Sequence, residues 1–298
     1  MGEFVLVTGA TGQQGGAVAR ALAAAGTPVH ALVRNPDSEK SRALAEQGVR
    51  LVRGDLDEPE SLKPALDGAR GLFSVQTPDF ANLAGDTEID RARTLAAAAA
   101  AAGVPQIVHT SASGATRIID EERWGPFVGH AFRVKTLTED ALREAGAAST
   151  TILRPSAFME NFLAPSYFYA PGSREKVLVG YDIDVPQAFV AVADIASAAA
   201  AAFADPQRFD AVELELAGDR ISLREAAATL SRAWGRSITV PASRDAAIAD
   251  GLPEVFRQSQ GYLSAHPAPA FPEYLRAFGL PATSLEEWAR DAARRGVA

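Results

Sequence analysis

A glycine-rich turn close to the start of the chain constrains the fold more than any other feature. The apolar run 4–7 leads into the pattern G-x-x-G-x-x-G at 9–15, and residues 17–23 then read as a helix. Gly9 permits a sharp exit from a strand, Gly12 lets backbone N–H groups approach a pyrophosphate, and Gly15 lets the helix pack closely on a sheet. The helix N-terminus adds unpaired donors and partial positive charge. The pattern predicts a dinucleotide-binding turn; a glycine-rich turn without a ligand is the alternative.

The rest of the first half alternates short apolar segments with helical ones. We predict further strands at 29–33, 49–52, 69–75, 106–111 and 150–155, and helices at 38–47, 88–102 and 133–145. Such alternation with short loops is typical of a parallel sheet with helices on both faces. We therefore expect an α/β fold, a doubly wound parallel sheet of the Rossmann type with a smaller C-terminal α/β substrate lobe. The expected nucleotide-binding domain is 1–155, with 185–217 returning to it, and the expected lobe is 156–184 with 218–298.

Composition removes several classes of function. The chain has 298 residues, a formal net charge of -8 and no cysteine. An acidic chain does not favour direct nucleic-acid binding, and the missing cysteines exclude disulfides, thiolate catalysis and cysteine-ligated metals. No basic and apolar leader opens the chain, and the longest apolar run, 95–102, is too short to span a bilayer, so we expect a cytoplasmic protein with no membrane contact. No metal site is expected, because the histidines lack ligand spacing: His30, His109, His130 and His266.

Residues after the second and third predicted strands indicate how a nucleotide would be held. Arg34 stands where an acidic side chain usually binds the ribose 2′-OH, and an arginine suits a 2′-phosphate instead. A solvated surface arginine is the alternative, and Asp37 nearby leaves NAD open. Asp55 and Leu56 are candidates for contacts with adenine, and a role of Asp55 as the cap of the next helix would be compatible with that.

The glycine turn, Arg34-Asn35-Pro36, Gly54-Asp55-Leu56 and the segment 154–161 together resemble the NmrA-like family over nearly the whole chain. These proteins are atypical short-chain dehydrogenases/reductases, and the likeness is greatest to the HSCARG-type NADPH-binding members. The resemblance implies NADP(H) as cofactor, a 2′-phosphate at Arg34 and adenine beside Asp55 and Leu56. It implies that the pyrophosphate is held by Gly9, Thr11, Gly12, Gln13, Gln14 and Gly15. It implies that the ribose and nicotinamide side is lined by Gln76, Thr77 and Pro78.

The resemblance also identifies a lysine and a missing tyrosine. Lys135 matches the family's helix lysine because Glu139 follows four residues later, and we expect it to contact a ribose hydroxyl. Reductases of the wider superfamily carry a proton-donating tyrosine four residues before that lysine, and here the position is Ala131. His130, one residue off register, could supply acid–base catalysis, or it is a helix-start histidine without that role.

Two functions follow, from different classes. The first is an NADPH-dependent reductase of a small apolar acceptor such as a quinone, an enone or an aldehyde, with Lys135 and His130 as catalytic residues. The sixth strand would then present Ser156 and Phe158 to the nicotinamide. The second is a non-catalytic sensor of the NADPH/NADP ratio that acts through a regulatory protein partner, which Ala131 favours. We prefer the reductase, and the oligomeric state stays open.

Overall fold

The computed structural model describes residues 3–79 and 81–298. The strands are β1 (Phe4–Val7), β2 (Val29–Val33), β3 (Arg50–Arg53), β4 (Ala69–Ser74), β5 (Gln106–Thr110), β6 (Ser149–Pro155), β7 (Ala157–Phe158), β8 (Gln187–Val190), β9 (Glu213–Leu216) and β10 (Asp219–Ile221). The helices are α1 (Gln13–Ala24), α2 (Glu39–Ala45), α3 (Pro59–Leu66), α4 (Thr87–Ala101), α5 (Glu121–Trp124), α6 (Pro126–Arg143), α7 (Val192–Ala204), α8 (Leu223–Trp234), α9 (Arg244–Ala249), α10 (Glu254–Ala265), α11 (Pro272–Ala277) and α12 (Leu285–Arg294).

A seven-stranded sheet has the order β3-β2-β1-β4-β5-β6-β9. The pairs from β3 through to β6 are parallel, with Leu6 opposite His30 and Val7 opposite Phe73. The chain builds outward from β1 to β3 and then crosses to β4 on the other side of β1, so the strand order reverses between β1 and β4. In such sheets ligands bind outside the carboxyl ends of the strands at that reversal. The predicted α/β, doubly wound fold is confirmed.

By internal contacts the chain forms two compact units. The first comprises Met1–Thr116, Ala131–Arg154 and Ile195–Leu214, and the second comprises Arg117–His130, Pro155–Asp194 and Glu215–Ala298. The predicted division into a nucleotide-binding domain and a substrate lobe stays a prediction, because a grouping by contacts assigns no function to either part.

The apolar cores follow from the sequence pattern. In the first unit β1 is buried along its whole length, and it shares a core with apolar residues of α3, α4 and β5 that include Leu62, Leu95 and Ile107. Strands covered on both faces read as continuous apolar runs, which is why these segments could be recognised. In the second unit, a three-stranded sheet of order β10-β8-β7 and the helices α8 and α12 contribute to a separate core around Phe162 and Phe189.

Helix boundaries differ from the predicted ones mainly at α6, which begins at Pro126, seven residues before the predicted start at 133. Proline suits the first turn of a helix, where its missing N–H costs nothing. His130 therefore lies inside the helix. Among residues 3–79 and 81–298, no helix combines the length and apolar character that crossing a bilayer requires.

Candidate functional site

The glycine turn lies at the reversal of strand order in the first unit. The buried Thr8 hydroxyl accepts a hydrogen bond from the Val75 N–H at 2.9 Å and donates to the Val75 carbonyl at 3.2 Å, which ties the end of β1 to the chain leaving β4. Gly9 has φ +58°, and a Cβ there would lie 2.6 Å from Val75 Cγ1. A Cβ at Gly15 would overlap with the Gly9 backbone. Both glycines are therefore required by the geometry of the turn.

The N-terminus of α1 is open to a ligand. Gly12 is its N-cap residue, and no side chain of the described residues caps this end of the helix. Gly12 and Gln13 are exposed, whereas the Gln14 side chain accepts a hydrogen bond from the Thr110 hydroxyl at 2.7 Å. The first turn of α1 therefore offers backbone N–H groups toward solvent, which is the arrangement that binds a pyrophosphate.

Arg34 and an ion pair lie at the ends of β2 and β3. Arg34 is exposed directly after β2. Asp57 accepts two hydrogen bonds from Arg91 of α4, at 2.7 and 2.6 Å. The Arg91 hydrogen bond lowers the pKa of Asp57, burial opposes this, and the positive charges of Arg91 and Arg34 add to the lowering. The Arg34 guanidinium is thus close enough to act on this loop electrostatically.

Asp55 does not cap the following helix, so that interpretation of the sequence is wrong. The N-cap residue of α3 is Glu58, and the Asp55 carboxylate instead accepts from the Asp57 N–H at 3.2 Å in a local turn. The Asp55 N–H donates to the Ser61 hydroxyl at 3.0 Å, and Leu56 is half-buried beside it. The carboxylate is therefore held at the end of β3, where a contact with adenine was predicted.

The exit of β4 carries buried polar groups. Gln76 is 4% exposed, and its amide Nε2 donates to the Ser74 hydroxyl at 2.9 Å. Its Oε1 has no hydrogen-bond partner among the described residues. Thr77 is exposed and Pro78 is half-buried. A buried acceptor without a partner costs free energy, so a bound donor would stabilise this position.

His109 of β5 belongs to the same cluster, and the sequence did not single it out. It is 1% exposed, and its Nδ1 lies 3.1 Å from the Ser74 carbonyl oxygen and 3.3 Å from the Ser74 hydroxyl. Its Nε2 has no partner within the described part of the chain. Burial and, secondly, the positive charge of Lys135 lower the pKa of His109 to about 3. The ring is therefore neutral at physiological pH.

Lys135 of α6 forms an ion pair with Glu88 of α4. The side chains are 21% and 8% exposed respectively. An ammonium group has three donors, so an ion pair with one carboxylate oxygen leaves it able to hold a ligand oxygen as well. Neither Glu88 nor the ion pair was predicted, although an acidic residue in the first turn of a helix is a common feature that alone signals no function.

Glu139 has a structural role in the first unit. It is fully buried, accepts two hydrogen bonds from Arg154 of β6 at 2.9 and 2.6 Å, and accepts one from Arg143 at 2.8 Å. Burial acts to raise the pKa of Glu139, but hydrogen bonds from Arg154, Ser111 and Arg143 and the charge of Arg154 outweigh it, and the pKa lies below its usual value. The pairing fixes α6, and with it Lys135, against the sheet.

Ala131 and His130 lie at different angles from Lys135 around the axis of α6. At about 100° per residue, position 131 lies about 40° from Lys135 around the helix axis and His130 about 140° from it. Ala131 therefore shares a face with the lysine, and His130 does not. A catalytic role for His130 stays a prediction.

The remaining predicted residues lie in the second unit. Ser156 donates its N–H to the Leu216 carbonyl at 3.0 Å, and its hydroxyl oxygen is buried with no partner among residues 3–79 and 81–298. Phe158 is half-buried in β7. Contacts of Ser156 and Phe158 with a nicotinamide stay predictions.

The structure thus brings most predicted residues to the carboxyl edge of one sheet. These residues follow β1 to β4 in the first unit: Gly9, Thr11, Gly12, Gln13, Gln14, Gly15, Arg34, Asp55, Leu56, Gln76, Thr77 and Pro78. Ser74 and His109 join them from β4 and β5. In the part of the chain that the structure describes, no group of three acidic, histidine or cysteine side chains is placed to hold a metal ion.

Known proteins similar to this chain include two reductases of similar length. The chain is 33% identical over 301 residues to a (4-alkanoyl-5-oxo-2,5-dihydrofuran-3-yl)methyl phosphate reductase of Streptomyces griseus, covering 97% of each protein. It is 32% identical to an NAD(P)H azoreductase of Xenophilus azovorans, covering 96% of this chain and 97% of the relative.

Solved structures with the same fold include proteins with bound nucleotide. The NADPH-dependent quinone oxidoreductase of Escherichia coli, solved with NADPH, has a TM-score of 0.75 and 27% identity, covering 97% of this chain and 99% of its own. A negative transcriptional regulator, NmrA, solved with NADP, has a TM-score of 0.75 at 21% identity, covering 100% of this chain and 97% of its own, and shows the fold alone. A model described as the NmrA-like family matches residues 1–258, and the chain belongs to that family.

Proposed function

We propose that the chain binds NADP(H) at the carboxyl edge of the first unit's sheet and uses it to reduce a small apolar acceptor. Two buried polar atoms without a partner among the described residues, Gln76 Oε1 and His109 Nε2, carry the proposal, together with a glycine turn in which an added Cβ would overlap with neighbouring atoms. Buried polar groups are normally satisfied, so a bound polar ligand accounts for them. NADP(H) fits the order of groups along this edge.

Each part of the cofactor would meet a group of matching chemistry. The backbone N–H groups at the start of α1 would bind the pyrophosphate, and the exposed Arg34 would bind the 2′-phosphate through its planar, doubly donating guanidinium. Asp55 and Leu56 would flank the adenine. The Gln76 amide would form a hydrogen bond near the nicotinamide end of the cofactor. Lys135 would donate a hydrogen bond to a ribose hydroxyl and keep its ion pair with Glu88.

The class of acceptor follows from Ala131, which stands where reductases of the wider superfamily have a tyrosine. When bound, the nicotinamide supplies a hydride. Ala131 cannot donate a proton to the acceptor, so the reaction suits acceptors whose reduced form takes its proton readily from water or from a nearby group. A quinone is such an acceptor, because hydride transfer converts it into a stable hydroquinone anion that is protonated afterwards. The names of the Escherichia coli quinone oxidoreductase and the Streptomyces reductase support a conjugated carbonyl acceptor.

Nicotinamide absorbance of the purified protein with NADPH and a panel of quinones, enones and aldehydes tests the reductase. We expect a loss of absorbance that saturates with at least one acceptor. Lys135→Ala should lower kcat/KM by about 10- to 100-fold, because a charge-assisted hydrogen bond to the ribose is lost. Lys63→Ala, a lysine in α3 away from these contacts, serves as the charge-matched control and should leave the rate unchanged. No turnover with any acceptor would contradict the reductase proposal.

A second function, a non-catalytic NADPH sensor, is favoured by one observation. Ala131 shares the helix face of Lys135 and removes the usual proton donor without disturbing a binding site. If NADPH binds tightly and no acceptor in the panel is reduced, the sensor becomes the better proposal. Its own test is co-purification of a protein partner with the NADPH-loaded chain but not with the NADP⁺-loaded chain.

A further inference from the structure

His109 has a fixed tautomer. Its Nδ1 lies 3.1 Å from the Ser74 carbonyl oxygen, and a carbonyl oxygen only accepts hydrogen bonds. The Ser74 hydroxyl, which can donate or accept, lies farther from Nδ1, at 3.3 Å, so the shorter contact assigns the proton of the neutral ring to Nδ1 and a lone pair to Nε2. The amide of Gln76 could rotate to exchange its oxygen and nitrogen, whereas the His109 ring is held in one state by the backbone of β4.

The lone pair on Nε2 is buried without a donor. His109 is 1% exposed, and no described residue donates to Nε2. A buried acceptor in this state loses its hydrogen bonds with water and gains none within the protein. His109 therefore presents an oriented hydrogen-bond acceptor near the end of β5, among the strand ends where the cofactor is proposed to lie.

Lys135 indicates which donor completes this site. Its positive charge lowers the pKa of His109, and its ammonium group is held by the ion pair with Glu88. A ribose hydroxyl that accepts a hydrogen bond from Lys135 still has its own proton to donate to an acceptor. In the wider superfamily a phenol stands beside the lysine, but Ala131 offers no polar atom at this position.

We propose that His109 is a binding residue for the nicotinamide half of NADP(H), with its Nε2 accepting a hydrogen bond from a hydroxyl of the ribose that carries the nicotinamide. This inference rests on the proposed NADP(H) site. It assigns Lys135 as donor and His109 as acceptor to the same sugar, with Ser74 fixing the histidine and Glu88 fixing the lysine. The sequence gives no local sign of it, because the contact between β4 and β5 joins residues 35 positions apart.

Affinities for two ligands separate this role from a structural one. The histidine variant His109→Asn keeps an N–H donor for the Ser74 carbonyl but has no atom at the Nε2 position. We expect its Kd for NADPH to rise about 5- to 15-fold, the loss of about one hydrogen bond. Its Kd for 2′,5′-ADP, which lacks the nicotinamide nucleoside, should change less than 2-fold. The control His30→Asn, whose imidazole stacks on Phe4 in the same unit, should leave both affinities unchanged.

Nitrogen NMR of the wild-type imidazole gives a second readout that needs no variant to fold. With NADP⁺, the Nε2 resonance of His109 should shift while Nδ1 stays protonated, and 2′,5′-ADP should leave Nε2 unchanged. Equal losses for both ligands in His109→Asn, or an Nε2 resonance that NADP⁺ does not shift, would overturn the role of His109 and leave the NADP(H) site in place. If the wild-type protein binds neither ligand, the proposed function and this inference both fail.

Discussion

Lys135 of α6 is joined to Glu88 of α4 by an ion pair in which both side chains are more than three-quarters buried. The positive charge of this lysine also lowers the pKa of His109 in β5. On the opposite side of the reversal in strand order, the N-terminus of α1 is left without a side-chain cap. Oriented donors and acceptors of the first unit are thus distributed along the edge of the sheet where an extended dinucleotide would lie.

Glu88→Gln should destabilise the protein. The substitution leaves the partly buried ammonium of Lys135 without a negative partner, and we expect the free energy of unfolding to fall by roughly 1–3 kcal/mol. Urea denaturation at neutral pH measures this. The control is Asp90→Asn on the same helix, which removes an exposed ion pair with Arg93 whose atoms are 3.9 Å apart. That change should cost less than about 0.5 kcal/mol, and equal losses in the two variants would contradict a special role for the Lys135–Glu88 pair.

Gly15→Ala should disrupt the turn more than Gly12→Ala. A Cβ at Gly15 would overlap with the backbone of Gly9 and Thr8, where no side-chain rotation gives relief. A Cβ at Gly12 would lie 3.2 Å from the Gly9 carbonyl oxygen, which a small shift can relieve. We expect Gly15→Ala to lower the free energy of unfolding by roughly 1–3 kcal/mol and Gly12→Ala by less than about 1 kcal/mol. Thermal unfolding of the two variants checks the order, and the reverse order would refute this account of the turn.

The stability of the protein should fall in mild acid because of His109. Burial and then Lys135 lower the folded-state pKa to about 3; the charge of Glu139 and the hydrogen bond with the Ser74 backbone oppose this, and Arg143 adds a smaller lowering. The unfolded chain takes up a proton near its ordinary pKa of about 6.5, so protonation favours unfolding as the pH falls from there toward 3.

This contribution amounts to about 1.4 kcal/mol for each pH unit below 6.5. Between pH 7 and pH 5, the wild-type protein should therefore lose about 2 kcal/mol more of its free energy of unfolding than His109→Asn. Urea denaturation of both proteins at the two pH values measures the difference. Parallel losses would show that His109 is protonated in the folded protein or is not the group responsible.

The sequence was informative where local pattern decides structure. Short segments rich in apolar and β-branched residues predicted β1 to β6, and the bounds of β2 were predicted without error. The glycine turn was predicted because its spacing follows directly from the backbone geometry of a strand–turn–helix unit. The early start of α6 was missed because Gly129 and the β-branched Val128 have low helix propensity, which the tertiary structure overrides.

Contacts between distant residues were beyond the reach of the sequence. His109 and Ser74 are 35 positions apart, and Lys135 and Glu88 are 47 positions apart. The sheet register, which sets Ser74 opposite His109, creates the first contact, and no periodicity in either segment encodes it. β5 also contains the polar residues Gln106 and Thr110, so a histidine within it does not stand out as a sign of a functional contact.

The carboxyl edge of this sheet is proposed to bind a nucleotide whose 2′-phosphate contacts Arg34. Calorimetric titration of the wild-type protein and Arg34→Ala with NADPH and NADH tests this contact. We expect the variant to lose about 10- to 100-fold in affinity for NADPH and less than about 3-fold for NADH, since only NADPH has the phosphate that a guanidinium binds. Arg50 is an exposed arginine at the amino end of β3, away from the carboxyl ends of the strands, so Arg50→Ala should change neither affinity. Equal losses of NADPH and NADH in Arg34→Ala would contradict the assignment.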